Sequence, residues 1–295
     1  MKEKVEFRKI REFSDTIGDT ILFIKQNLKG LIKSVFALCG IFIVAGIVSM
    51  VLQQIQMHDY RQMSIGRTYS SGLWGVFSWE YFVLIFMLMA NYASMVVVIL
   101  SYISLYIQKG NVAPNLEEIW SYFKHYFLRV LGSSIITTIL FSIGSMLCLV
   151  PGIWLFPIFT IFYPIMVLEN GGFGHSFNRS FSLIKGEWWV TFATLLITMI
   201  ITMICYYIIS APAIVIQMID TITHFGKPIN TTYTIISAIS TYLAQIFMII
   251  PIICSALIYH NLVERKESSG LLNRIDSLGN NNNYTAPSES IPEEY

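Results

Sequence analysis

Six long apolar stretches dominate the chain, and shorter polar segments separate them. A helix needs roughly 20 apolar residues to cross about 30 Å of hydrocarbon. The fourth stretch has sixteen residues and is short, but one arm of a tight hairpin in a locally thinned bilayer accommodates that length. The pattern predicts an all-α integral membrane protein with six transmembrane helices. The stretches are approximately Ser34–Leu52, Tyr81–Ile107, Val130–Leu149, Ile153–Leu168, Trp188–Met218 and Tyr233–Leu262.

An amphipathic segment precedes every second apolar stretch. When the three segments are aligned on Lys25, Lys124 and Lys185, apolar residues recur eight, four and one positions before the lysine and three after it. This spacing places the apolar residues on one stripe of a helix. The sequence therefore predicts three repeats of interfacial amphipathic helix plus transmembrane hairpin. The alternative is that the segments only link the spans and pack against the bundle. The stripes are Ile17, Ile21, Ile24 and Leu28; Leu116, Trp120, Phe123 and Phe127; and Phe177, Phe181, Ile184 and Trp188.

Three regions follow from this layout. Residues 1–33 form a cytoplasmic N-terminus that carries the first amphipathic helix, and residues 34–267 form the six-span membrane domain. Residues 268–295 are rich in Asn, Ser, Pro and Glu. Such a segment has too little apolar surface to fold alone, so we expect a disordered cytoplasmic tail.

Composition agrees with a membrane protein, and the charge distribution predicts its orientation. The chain is 55% hydrophobic and 13% charged, whereas a soluble domain carries about 25% charged residues. In the six-span layout, one side holds sixteen of the nineteen Lys and Arg residues, in groups of eight, three, two and three. Because cations are retained on the cytoplasmic side during insertion, both termini are expected on the cytoplasmic side of the membrane. The net charge of +1 gives no reason to expect nucleic acid as a partner.

The reactive side chains of the sequence favour a protein that is not an enzyme. No Asp, Glu, Lys or Arg lies in the middle of a predicted span, which argues against a proton-coupled pump or an intramembrane protease. The five histidines lack metal-binding spacing, so we expect no catalytic residue, no metal and no cofactor. An enzyme acting on lipids would need Glu169, His175 and Arg179 to converge on one pocket.

Polar uncharged residues within the spans allow two interpretations. Asn91, Thr137 and Gln245 are costly in hydrocarbon unless they have partners. They serve either as helix-to-helix hydrogen bonds or as the lining of a polar translocation path.

The most distinctive block runs from Leu149 to Trp189. Pro151-Gly152 predicts a tight turn in which the glycine takes a positive φ, and Trp154 would then anchor at the outer interface. Pro164 and Glu169 would end the short span at the inner face, with Glu169 in reach of Arg179 or Lys185.

This block resembles a family of polytopic bacterial membrane proteins related to the membrane domain attached to glycerophosphoryl diester phosphodiesterases. The resemblance implies a bacterial cytoplasmic-membrane protein of undetermined role. We recognise no phosphodiesterase domain in these 295 residues, so the link to phospholipid-derived substrates is an association only. The matching positions are Pro151, Gly152, Ile153, Pro164, Glu169, Ser180, Lys185, Gly186 and Trp189.

Taken together, the patterns favour a lipid-associated scaffold or membrane-homeostasis module. The alternative is a transporter or channel for a small or lipid-like solute. Expected partners are membrane lipids with anionic headgroups, and a protein partner or a second copy of the chain is compatible with the same pattern. The candidate lipid contacts are Lys25, Lys124, Arg179, Lys185, Trp188 and Trp189.

Overall fold

The computed structural model describes residues 4–66, 79–147, 149–223 and 231–268, and all regular structure in these ranges is helical. A short 3-10 turn at Gln245–Met248 joins the last two helices. Residues 269–295 of the predicted tail, and residues 67–78 between the first two predicted spans, lie outside the described residues. The helices are α1 (Phe13–Gly66), α2 (Trp79–Gln108), α3 (Leu116–Leu147), α4 (Leu149–Leu168), α5 (Phe173–Ile184), α6 (Trp188–Thr223), α7 (Thr231–Ala244) and α8 (Ile249–Glu267).

Six helical segments are long and apolar enough to cross a membrane, as the sequence predicts. Their surface supports the same conclusion, because large apolar side chains are exposed along α1, α3 and α6. Ile41 is 74% exposed, Met146 91% and Ile208 67%. A water-soluble protein rarely exposes apolar surface on this scale, whereas a bilayer favours it. The segments are Phe13–Gln56, Trp79–Gln108, Leu116–Met146, Val150–Leu168, Trp188–Ile216 and Thr234–Glu267.

The first two amphipathic segments are continuous with their spans. Helix α1 is a single helix of 54 residues, and it contains no proline that would interrupt its hydrogen bonds. It also extends to Gly66, well beyond Leu52, where the first predicted span ends. Helix α3 likewise joins the second segment to the third span. The third segment alone forms a separate helix, because Gly186 adopts φ +91° between α5 and α6. A threefold repeat therefore stays a prediction.

Helices α2, α4 and α8 form the interior of the bundle, and α1, α3 and α6 surround them. Helix α2 is buried on nearly all sides from Ala90 to Tyr106, so apolar residues occur on every face of the helix there. One cluster of buried side chains joins α1, α2, α3, α4 and α8. A second cluster joins α4, α5, α6 and α8. Helices α4 and α8 thus contact both clusters and position the polar residues at their ends.

The prediction of a tight turn at Pro151-Gly152 is wrong. Both residues lie in the first turn of α4, where proline is tolerated because its missing N–H would have no partner. Gly152 is not among the residues with positive φ. A Cβ at Gly152 would lie 2.5 Å from Ser145 Oγ and 3.4 Å from Ser145 Cα. Glycine allows α3 and α4 to approach closely here.

Candidate functional site

Glu169, at the end of α4, is the centre of a polar cluster at one end of the bundle. Its Oε1 accepts a hydrogen bond from the Tyr259 hydroxyl at 2.8 Å. The same oxygen accepts one from Arg179 Nε at 3.2 Å. Its Oε2 lies 3.0 Å from His175 Nε2. The chain reverses direction immediately after Glu169, where Asn170 takes φ +53°, and this reversal brings α5 back toward the carboxylate.

The electrostatics of the cluster keep Glu169 and Arg179 charged. Burial acts to raise the pKa of the Glu169 carboxyl, but hydrogen bonds from His175 and Tyr259 and the charge of Arg179 outweigh it and lower that pKa. The Arg179 guanidinium bonds Glu267 at 2.6 Å. That bond and the Glu169 carboxylate raise the Arg179 pKa against the opposing effect of desolvation. Arg179 therefore joins α4, α5 and α8 as a permanent cation.

The residues before α1 fold back over this end of the bundle, and Arg11 fixes them there. Arg11 is 1% exposed, and its guanidinium donates to the carbonyls of Glu6, Phe7 and Lys9. It also pairs with Asp19 in α1 at 2.8 Å. A buried guanidinium needs this number of acceptors because it has five N–H donors.

Helix α8 holds the same segment from the other side. The Arg11 N–H donates to Asn261 Oδ1 at 2.8 Å, and Asn261 Nδ2 donates to the Arg11 carbonyl at 3.1 Å. Arg265 Nη2 donates to that carbonyl at 2.9 Å. Phe7, 2% exposed, packs edge-on against Phe23 and His260 at ring centroid distances of 5.1 and 5.6 Å.

A cavity of about 320 Å³ lies beside the cluster. Three candidate spans end in its wall, at Gln108, Leu168 and Glu267. Arg8 lines it from the N-terminal segment and makes no hydrogen bond or ion pair with another described residue. His260 Nε2 is buried and lacks a hydrogen-bond partner in the described part of the chain.

The candidate lipid contacts have different environments. Lys25, Lys124 and Lys185 are exposed, and Trp189 is 77% exposed. Lys124 Nζ lies 5.8 Å from the centroid of the Trp120 ring. Arg179 instead engages two carboxylates, so it is less available to a lipid than the sequence suggested.

Trp188, the remaining candidate, contacts a residue that the topology expected at the opposite membrane face. Its Nε1 donates to the Trp154 carbonyl at 3.1 Å. The cause is that α5 runs antiparallel to α4 and packs along it. Three pairs of aromatic rings contact each other along the two helices. Their centroid distances are 5.2 Å for Phe162–Phe173, 6.3 Å for Phe159–Phe177 and 5.5 Å for Trp154–Phe181. The third amphipathic stripe therefore packs against the bundle, whereas Ile21, Leu28 and Trp120 of the first two are exposed.

The three residues of the predicted polar path do not line one cavity. Asn91 Nδ2 donates directly to Gln245 Oε1. Thr137 Oγ1 lies 2.9 Å from the Tyr163 hydroxyl. Thr137 and Tyr163 line a cavity of about 270 Å³ whose other walls are mostly apolar and do not include Asn91 or Gln245.

The three residues required for the enzyme alternative do lie together, since His175 and Arg179 both contact Glu169. Pro164, in the same sequence block, lies inside α4. Among the residues with described positions, no group of three or more His, Cys, Asp or Glu side chains is arranged to hold a metal ion.

Comparison with known proteins shows which family the chain belongs to. A model of a domain of unknown function, DUF7847, matches residues 27–262. The chain belongs to this family. The match brings no connection to glycerophosphoryl diester phosphodiesterases. No curated protein and no solved structure matches the chain.

Sequence reasoning missed Arg11, Tyr259 and Asn261. Arg11 was one cation among eight before the first span. Asn261 carried a usable signal, because a polar amide at the end of a span needs a partner. Its partner was beyond prediction, because it is a backbone group 250 residues away.

Proposed function

We propose that this member of the DUF7847 family is a non-enzymatic, lipid-associated scaffold or membrane-homeostasis module of the bacterial cytoplasmic membrane. One observation carries the proposal: exposed lysines adjoin exposed apolar side chains on α1 and α3. Lys124 lies over the ring of Trp120, which is 44% exposed. Lys25 adjoins Ile21 and Leu28, which are 39% and 46% exposed. Such neighbours suit the border between acyl chains and headgroups.

The faces of α1 support this interpretation. Phe23, Asn27 and Leu31 face the bundle and are buried. At about 100° of rotation per residue, the Ile21 and Leu28 stripe follows next around the helix. Lys25 comes after the stripe, on the side away from the bundle. The apolar stripe thus has hydrocarbon as its natural environment, while the ammonium group reaches toward lipid phosphates.

Charge reversal of Lys25, Lys124 and Lys185 to glutamate tests the proposal. The full chain is reconstituted in nanodiscs that contain phosphatidylglycerol and phosphatidylcholine, and the lipids that remain after extraction are quantified. Each cation near the surface contributes about 1 kcal/mol of attraction, so we expect the preference for phosphatidylglycerol to fall roughly tenfold or more. Lys-to-Arg changes at the same positions keep the charge and serve as the control. An unchanged preference in the glutamate variant contradicts the proposal.

Transport of a small or lipid-like solute is the second candidate, and the 270 Å³ cavity favours it. The Thr137 and Tyr163 hydroxyls give that cavity a polar side within the bundle. Transport predicts that liposomes with the wild-type chain release trapped polar solutes, and that Thr137→Leu, which fills the cavity, slows release. Equal leakage from liposomes with wild-type chain, variant chain and no protein counts against transport.

A further inference from the structure

We propose that the 320 Å³ cavity at the end of α2, α4 and α8 binds a zwitterionic phosphoethanolamine group, with the phosphate toward Arg8 and the ammonium toward Glu267. This inference deepens the proposed lipid association and rests on it. The cavity is lined by Arg8, Gln108, Glu169, Arg179, His260 and Glu267 among others.

The charges of the wall favour a ligand with both signs. Arg179 bonds the carboxylates of Glu169 and Glu267, so one guanidinium is shared between two negative charges. Arg8 balances the remaining negative charge from another part of the wall. Two arginines and two glutamates give a formal sum of zero, with the charges separated. A simple anion would meet the surplus carboxylate, and a simple cation would meet Arg8.

Polar groups without a partner lie on the same wall. The Glu169 oxygens already accept hydrogen bonds from His175, Arg179 and Tyr259, so this residue supports the site and does not bind the ligand. Arg8 makes no hydrogen bond or ion pair with other described residues, and His260 Nε2 is buried without a partner among them. Both can donate to a phosphate oxygen, and a guanidinium matches phosphate geometry well.

The depth of the cavity suits a lipid headgroup. The candidate spans that end at Gln108, Leu168 and Glu267 all contribute residues to its wall. The cavity therefore lies where hydrocarbon gives way to headgroups, which is where phosphate and ammonium groups of lipids reside. Its volume is at the lower end of the range for small-molecule sites, about 300–1,000 Å³, and fits a headgroup without its acyl chains.

Lipid retention by the full chain in detergent tests the assignment. The chain is incubated with equal amounts of phosphatidylethanolamine, phosphatidylcholine and phosphatidylglycerol, and bound lipids are counted by native mass spectrometry. We expect phosphatidylethanolamine to be retained over phosphatidylcholine, because phosphatidylcholine has no ammonium N–H. Phosphatidylglycerol has no cation, so the amount held by the exposed lysines should not change in Arg8→Gln. Arg8→Gln should lower the retention of phosphatidylethanolamine roughly tenfold, as expected for one lost charge-assisted hydrogen bond.

Matched variants separate a binding defect from a folding defect. Lys9→Gln removes a neighbouring exposed cation that does not line the cavity, and it should retain phosphatidylethanolamine like the wild type. Glu267→Gln should abolish the preference for phosphatidylethanolamine over phosphatidylcholine. Equal retention of phosphatidylethanolamine by Arg8→Gln and Lys9→Gln, or equal retention of phosphatidylcholine and phosphatidylethanolamine by the wild type, overturns the proposal.

Soluble glycerophosphoethanolamine, titrated calorimetrically, distinguishes the two sources of the group. If glycerophosphoethanolamine and phosphatidylethanolamine both bind, the cavity recognises the polar group alone. If only phosphatidylethanolamine binds, the cavity is a site for a membrane lipid. Either result supports the site. If the Lys-to-Glu variant loses its anionic-lipid preference while no phosphatidylethanolamine is retained by the wild type, the cavity assignment fails and the scaffold proposal stands.

Discussion

Arg11 and Asn261 are held together by two reciprocal hydrogen bonds, although 250 residues separate them along the chain. The Arg11 N–H donates to Asn261 Oδ1 at 2.8 Å, and Asn261 Nδ2 returns a hydrogen bond to the Arg11 carbonyl at 3.1 Å. A side-chain amide thus satisfies both backbone polar groups of one residue. The N-terminal segment is therefore part of the folded bundle.

Asn261→Ala should destabilise this attachment. The change leaves the Arg11 N–H without its acceptor in a buried place, which costs about 1–3 kcal/mol. We expect a lower unfolding temperature in detergent and faster proteolytic removal of the first residues. Asn178→Ala, at an exposed position of α5, is the control. Equal protease resistance of the two variants would contradict the role assigned to Asn261.

Glu169 should make stability depend on pH. Its folded-state pKa lies below the ordinary value of 4.5, so its contribution is complete above about pH 4.5 and is lost as the pH falls through the folded pKa. Glu169→Gln should lower the unfolding temperature at pH 7 and flatten its decline between pH 5 and pH 3, as measured by scanning calorimetry in detergent. Glu117→Gln, at an exposed position of α3, should preserve the wild-type profile. An unaltered slope in the Glu169 variant would show that the cluster contributes nothing.

Gly152→Ala should destabilise the α3–α4 hairpin. An alanine Cβ would lie 2.5 Å from Ser145 Oγ, and overpacking of this kind typically costs 1–3 kcal/mol. The tight-turn interpretation predicts that only residues disfavouring positive φ disrupt this site. The packing interpretation predicts instead that Ser145→Ala partly rescues Gly152→Ala, measured by thermal unfolding.

Gly40→Ala is the matched control for that series. Gly40 lies within α1, and a Cβ there meets nothing within 4 Å. Alanine should therefore be neutral or stabilising, by up to about 1 kcal/mol. Failure of the Ser145 change to rescue Gly152→Ala would refute close approach as the reason for the glycine.

Asn91 and Gln245 should behave as an energetically coupled pair. Replacing either by leucine leaves the other amide without its partner, and Asn91 is fully buried. Each single change should lower the unfolding temperature, and the double change should recover part of the loss. Coupling of about 0.6–2 kcal/mol is expected from a double-mutant cycle. Purely additive effects would remove the evidence for a structural hydrogen bond here.

The long apolar stretches made the membrane class and the six candidate spans predictable. The positions of helix ends were less predictable. No proline interrupts the chain between Ile24 and Ser34, so the amphipathic segment and the first span become one helix. Between Ile184 and Trp188, in contrast, Gly186 allows a sharp change of direction.

The candidate site was predicted only in part. The Glu169–Arg179 ion pair followed from opposite charges at adjacent helix ends. The contributions of Tyr259, Glu267 and Arg11 did not follow, because they depend on how α8 and the N-terminal segment cross that end. Packing of the third segment against the bundle was only the alternative interpretation, since an amphipathic stripe is equally suited to acyl chains and to the aromatic residues of a neighbouring helix.

The Arg11–Asn261 pair also sets an order for biosynthesis. Residues 4–12 are synthesised before α8, whose side chains hold them, because Asn261 follows Arg11 by 250 residues. The N-terminal segment therefore lacks these hydrogen bonds while α1 to α7, which precede α8 in the chain, enter the bilayer. Its docking therefore requires that α8 has been made and has packed into the bundle.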